Sequence, residues 1–177
     1  DNSIDLSRHE TACGGIFMFK RQVYLAVGNF DEDLFLYHED HDLSWRIRLA
    51  GWKIMVTPAA EIYHHYHFHK GSFKYYSSEK NRLHLLLKNM EWKTLALFAP
   101  ALAVVEAAQL VHSLMNGWFL QKVKSWFEIL GLLSRILEKR RELQLHRKVN
   151  DSEIVKLYKG ELKISGIQNP CLENLLS

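Results

Sequence analysis

Apolar residues follow two different rhythms along this chain, and the change comes near Gly71. Before it they fall in short runs broken by glycine, proline and charge. Cys13-Gly-Gly-Ile-Phe-Met-Phe-Lys20 reads as a buried strand, with two small residues ahead of an aromatic-rich run. Arg21–Val27 reads as a short helical turn that Gly28-Asn29 closes. From Glu39 to Ala50 the period is helical: Leu43, Ile47 and Ala50 share a face, and Asp42 and Arg46 are spaced to pair at i,i+4. Gly51 stops that helix. Trp52–Thr57 then alternates into Pro58 as a strand, and Ala60–Phe68 reads as a second extended segment.

Beyond Gly71 the period is helical throughout. Phe73–Met90 is predicted as a helix with Ser72 as N-cap and Tyr76, Lys80, Leu83 and Leu87 along one stripe. Thr94–Met115 is apolar over the length of a membrane span, interrupted by Pro100, Glu106, Gln109 and His112. Gln121–Lys148 is amphipathic. Val123, Trp126, Phe127, Leu130, Leu133 and Leu137 form its apolar stripe, and Lys122, Lys124, Arg135, Lys139, Arg140, Arg141, Arg147 and Lys148 make its other side basic. Such a helix suits the surface of an anionic leaflet, and a solvated basic face on a packed hairpin is the plainer alternative. The predicted organisation is residues 1–90 as a catalytic-type domain, 91–148 as a membrane-associated helical region and 149–177 as a polar tail.

Composition changes this picture little. A hydrophobic fraction of 47% is ample for a core, and a net charge of +3 gives no ground for nucleic-acid binding. Cys13 and Cys171 fit no metal-ligand spacing and read as free thiols of a reducing compartment. The opening, DNSIDLSRHETACGG, carries no leader pattern and reads as entry into the middle of a domain.

Candidate chemistry lies in two places. Asp31, Glu32, Asp33, Glu39, Asp40 and Asp42 crowd the approach to the Glu39–Ala50 helix. A like charge raises a carboxylate's pKa and the helix dipole lowers it, a balance that suits Asp40 to take a proton from a hydroxyl. An acidic first turn is also simply how many helices begin. The second place is His64-His65-Tyr66-His67-Phe68-His69, where His65, His67 and His69 would share a strand face. No cysteine or close carboxylate completes a zinc set, so one histidine acting with carboxylates elsewhere would suit magnesium or manganese better.

Taken together, the small-residue strand, G-N-F-D-E-D at 28–33, E-D-x-D-L-x-x-R at 39–46, A-G-W at 50–52, the P-x-A-x-I-x-H segment and Y-Y-S-S-E-K-N-R-L at 75–83 resemble the C-terminal half of a family 2 glycosyltransferase catalytic domain of the rhamnosyltransferase-like kind. The resemblance runs from about Thr11 to Asn89. It implies an α/β fold, a partial GT-A domain followed by C-terminal helices, and an inverting transferase that moves a sugar from a nucleotide-sugar donor to a saccharide or lipid-linked acceptor at the cytoplasmic face of a membrane. It further implies Asp40 as general base with Glu39 beside it, and His64, or His65 one register away, at a divalent cation (Mg or Mn). Gly14, Gly15, Asp42, Trp45, Arg46 and Lys80 would line the acceptor and donor cleft. The resemblance places the family's D-x-D metal motif and nucleotide-binding strands upstream of Asp1, so the chain is expected to be part of a longer enzyme and inactive alone. Two other readings remain: a non-catalytic membrane-associated assembly module derived from a transferase half, and a histidine-rich metal-binding protein.

Overall fold

The computed structural model describes residues 17–55, 63, 65 and 71–156. Six helices occupy them: α1 (Arg21–Ala26), α2 (Glu39–Leu49), α3 (Ser72–Asn89), α4 (Trp92–Met115), α5 (Phe119–His146) and α6 (Asp151–Val155). A single 3-10 turn, Glu32–Leu34, sits between α1 and α2. Two of the helices end alike. Gly51 at φ +86° and Gly117 at φ +74° take left-handed backbone, and the next residue's N–H returns to the preceding turn, Trp52 to the Ile47 carbonyl at 3.1 Å and Trp118 to the Ser113 carbonyl at 3.1 Å. These bonds satisfy carbonyls that a helix end leaves open.

α5 packs chiefly along α3, while α2 and α4 make lighter contacts at either side. One apolar cluster joins Trp45 and Leu49 of α2, Leu85 of α3 and Ile154 of α6, with Leu86, Met90, Leu143 and Val149 against it. A second gathers Val23, Leu43 and Ile47, covered by Phe17, Phe19, Tyr24, Val27 and Ile54. The chain after α5 returns to α2, where Lys148 N–H (2.7 Å) and Val149 N–H (3.1 Å) donate to the Leu49 carbonyl.

The α/β expectation is corrected here: among the described residues there is no strand and no sheet. Residues 17–20 and 52–55, read as parts of two strands, form no ladder; Tyr63 and His65 are not strand either, and the rest of those segments lies outside the described residues. Extended backbone becomes a strand only when a neighbour supplies the hydrogen-bond ladder. Phe17, Phe19 and Ile54 instead spend their apolar surface on the second cluster.

The helical stripes are corrected as well. The buried positions of α3 are Ser77, Glu79, Asn81, His84, Leu85, Lys88 and Asn89, whereas Tyr76, Lys80, Leu83 and Leu87 are only half-buried. α5 buries Lys122, Ser125, Ile129, Ile136 and Arg140 and leaves Phe127 and Leu130 exposed. Polar side chains turn inward on both helices because acidic partners wait for them there. Nor does Ser72 cap α3; Gly71 takes that position without a side-chain bond.

Candidate active site and the ion-pair frame that holds it

Asp31 opens the 3-10 turn, and its Oδ1 accepts from the Asp33 N–H at 3.1 Å. The same carboxylate meets Lys88 of α3 (Oδ2–Nζ 2.5 Å) and Lys139 of α5, and His84 Nε2 lies 3.4 Å away. Lys139 also reaches Asp33 at 2.6 Å, and Arg135 lies 3.1 Å from that carboxylate. Lys88 then bridges to Asp42 of α2 (2.8 Å), which pairs with Arg46 at 2.8 Å and accepts from Asn89 Nδ2 at 3.0 Å. One continuous ionic frame thus ties the acidic turn to α2, α3 and α5.

Burial alone would raise the pKa of Asp31, but His84, Lys88 and Lys139 hold it well below the ordinary carboxylate range. Burial acts on Asp42 in the same way, and Lys88 and Arg46 more than offset it. Carboxylates with depressed folded pKa values stabilise the fold fully above their unfolded pKa of about 3.9, and that stability is lost as pH falls through the folded values. The stability these two carboxylates supply is therefore expected to hold down to about pH 5, and the melting temperature to fall steeply below about 4. Thermal denaturation across that range checks this.

Arg46 does more than pair with Asp42. Its guanidinium donates to the Val27 carbonyl and, at 2.5 Å, to the Asn29 carbonyl. This fork fixes the Gly28-Asn29 turn, where both residues have positive φ. Trp45, also expected in the cleft, is buried in the first apolar cluster. Lys80 donates to the Asp33 carbonyl at 2.7 Å, and burial lowers its pKa. Asp42, Trp45, Arg46 and Lys80 therefore face inward and brace the site. Gly14, Gly15 and His64 lie outside the described residues, and His65 is exposed.

Glu39 and Asp40 stand at the other face of α2, on its first turn. The chain enters that turn through two consecutive non-glycine residues in left-handed backbone, Tyr37 (φ 69°) and His38 (φ 66°). Such conformations cost of order 1–3 kcal/mol each and persist only where neighbours enforce them. Asn81 of α3 supplies the enforcement, its Nδ2 donating to the Leu36 carbonyl at 2.9 Å and the Tyr37 carbonyl at 2.6 Å. Asp40 Oδ1 accepts the His41 N–H at 2.8 Å, and His41 Nδ1 lies 3.2 Å from the same oxygen. His38 lies against His41 with ring centroids 5.2 Å apart and planes tilted by 47°; burial first, then His41, lowers its pKa. Burial, with Asp40 adding to it, raises the pKa of Glu39, whose Oε2 has no hydrogen-bond partner among the described residues. The half-buried Asp40 is thus steered by a neighbouring imidazole at a helix N-terminus, an arrangement able to hold and pass a proton.

Asn81, His38 and His41 were not singled out by sequence reasoning. For Asn81 no signal was legible, because the predicted stripe of Tyr76, Lys80, Leu83 and Leu87 leaves it out and only the structure turns it inward. A cavity of about 570 Å³ lined by residues of the Leu25–Glu32 segment, Arg46, Lys88, Lys139 and Arg147 lies elsewhere and does not include Asp40. Its cations are already engaged in the frame or with Asp151.

Residues 3–84 match the family model described as Glycosyltransferase like family 2. Over this part, which is just under half of its length, the chain is similar to glycosyltransferase family 2. The match covers α1, the acidic turn, α2 and most of α3, so every candidate site residue named above from Asp31 to Asn81 lies within it. An N-acetylglucosaminyl-diphospho-decaprenol L-rhamnosyltransferase of Mycobacterium tuberculosis is 42% identical over 52 residues, which is 29% of this chain and 17% of that protein. Rhamnosyltransferase WbbL of Escherichia coli is 39% identical over 62 residues, 34% of this chain and 24% of that protein. The chain thus spans about a fifth of the length of these curated relatives. No solved structure matches.

Proposed function

We propose that this chain carries the acceptor-side part of an inverting glycosyltransferase acting in cell-envelope polysaccharide synthesis at the cytoplasmic face of a membrane. The observation that carries the reading is the placement of Asp40. It sits in the matched family segment, on a helix first turn whose approach is held in strained backbone by Asn81 and whose carboxylate is steered by His41.

In this reading the Asp40 carboxylate takes the proton of an acceptor hydroxyl. The freed oxygen attacks the anomeric carbon of a nucleotide-sugar from the face opposite the diphosphate. The C–O bond to the leaving phosphate breaks as the new glycosidic bond forms, so the configuration inverts. The two relatives named as rhamnosyltransferases, one acting on a diphospho-decaprenol acceptor, support a deoxyhexose donor and a lipid-linked saccharide acceptor.

A divalent cation belongs to this reading through the family. Among the described residues no group of three His, Cys, Asp or Glu side chains converges to hold one. His64 or His65 could contribute at most one ligand, and no step above depends on the metal.

The test is transfer of labelled sugar from a nucleotide-sugar to a lipid-diphosphate saccharide by the whole native protein, with and without chelator. Transfer with inversion, lost on chelation and restored by magnesium or manganese, is expected. A protein that binds both substrates yet transfers nothing under any metal condition would instead be an assembly module.

A further inference from the structure

Toward the turn that joins them, the two long C-terminal helices bury polar side chains and expose apolar ones. On α4 the side chains turned toward α3 and α5 are polar: Glu106 pairs with Arg82 and with Lys122 (2.7 Å), and Gln109 accepts from Arg82 (2.8 Å) and Lys122 (3.0 Å). Ser113, one further turn along, is fully buried. Half a revolution away, Leu97, Val104, Val111 and Met115 repeat at seven- and four-residue spacing and are 55–81% exposed. α5 repeats the inversion, with Lys122 and Ser125 inside and Leu120 (76% exposed) and Phe127 (70%) outside.

Exposed apolar residues continue along both helices, through Leu97, Val104, Phe127 and Leu130, and four of them lie where the hairpin turns. Val111, Leu114 and Met115 end α4 and Leu120 begins α5, and Phe73 at the start of α3 is half exposed on the same side, since a shallow pocket joins it to Leu120. Residues 107–127 contain no Asp or Glu, and the exposed Lys124 borders the tip. At the opposite end of the hairpin, Lys93, Glu138 and Arg141 are exposed among Trp92 and Leu145.

We infer that the α4–α5 turn is a monotopic wedge, inserting Val111, Leu114, Met115 and Leu120 into one leaflet of an anionic bilayer. A water-facing protein surface favours the reverse distribution, with charge outside. An apolar convex tip without acidic residues, edged by lysine, complements lipid tails beneath an anionic headgroup layer. α4 is long and apolar enough to cross a membrane. Yet crossing would drag Glu106, Lys122 and Arg82, and with them α3, into hydrocarbon. Glu106 lies nine residues before Met115, about 13 Å along the helix, so insertion to roughly 5–10 Å leaves the ion pairs at the interface.

The wedge also aims the site. Lys74 lies 5.8 Å over the Tyr37 ring, and Arg82, which binds Glu106, helps set the charge around His38. Tyr37, three residues before Asp40, is therefore held against the half of α3 that begins at the tip. The wedge deepens the transferase reading, and presentation of a lipid-linked acceptor to Asp40 rests on it.

The experiment is flotation of the whole native protein with vesicles of phosphatidylcholine and phosphatidylglycerol, beside Leu114→Glu/Leu120→Glu and a far-end control, Leu145→Glu. The parent and the control should float. The tip variant should lose about tenfold or more of its bound fraction while keeping its circular dichroism and its transfer to a water-soluble acceptor. Equal flotation of tip variant and parent overturns the wedge. So does a parent that stays unbound as a dimer which the tip substitutions dissociate, because the face would then join two copies. Labelling of Asn116→Cys by an impermeant maleimide sealed inside the vesicles would establish a span instead. If tip-dependent flotation holds but no acceptor of any kind is glycosylated, the wedge stands and the transferase reading fails.

Discussion

Replacing Asp31 with asparagine is expected to destabilise the protein by about 3–5 kcal/mol, the usual cost of removing one partner from a buried ionic arrangement. Asp31 is 9% exposed and Lys88 is 2% exposed, so the lysine cannot recover its lost partner from water. Asparagine fills the same space and can still accept one bond, but it leaves the charges of Lys88 and Lys139 compensated only by Asp42 and Asp33. For a chain of this size the melting temperature should drop by roughly 10 °C. Thermal unfolding followed by circular dichroism measures it. The double replacement Asp31→Asn/Lys88→Met should recover part of the loss, since it removes the uncompensated charge. The exposed pair of Lys156 and Glu153 provides the contrast: Lys156→Ala should change stability by less than about 1 kcal/mol. A loss at Asp31 no larger than that at Lys156 would mean the frame does not hold the fold.

Asp40→Asn is expected to reduce sugar transfer by about 10²–10⁴-fold, the contribution of a positioned general base. Asparagine keeps the oxygen that accepts the His41 N–H, so the turn and the α2 N-terminus should survive the change. It cannot take a proton. Donor affinity should stay within about twofold and the melting temperature within a degree or two, which separates lost chemistry from lost structure. Transfer rates and calorimetric donor binding on the whole native protein give both readouts. Normal turnover would remove Asp40 from the role of base.

Much of the local order was legible beforehand. α2 and its Asp42–Arg46 pair follow from apolar spacing, an acidic first turn and a terminal glycine, all of them interactions within a few residues. The α3, α4 and α5 segments were visible for the same reason. Strands were not decided that way. Residues 17–20 and 52–55 have strand-like composition, but a strand is a relation between two segments, and among the described residues none pairs with them.

The direction in which α5 faces shows why the site was only half legible. Its apolar stripe was expected to pack and its basic stripe to be solvated. Lys122 and Arg140 are buried instead, because Glu79 and Glu106 wait for the first and the Leu87 carbonyl, 2.5 Å away, for the second. A stripe's composition does not say what lies opposite it.

By itself, the sequence determined where α1 to α5 run to within about two residues, though not α6, which segment resembles family 2, and that Glu39 and Asp40 stand at a helix N-terminus. These are consequences of neighbours in the chain and of residue order. Only the tertiary structure decided that Asp31, Asp33 and Asp42 form a frame with Lys88 and Lys139 rather than part of a reactive cluster, leaving Asp40 apart beside His41. Those partners stand 46 to 108 residues away in the chain, and a carboxylate's role is set by which charges the fold brings within about 3 Å of it.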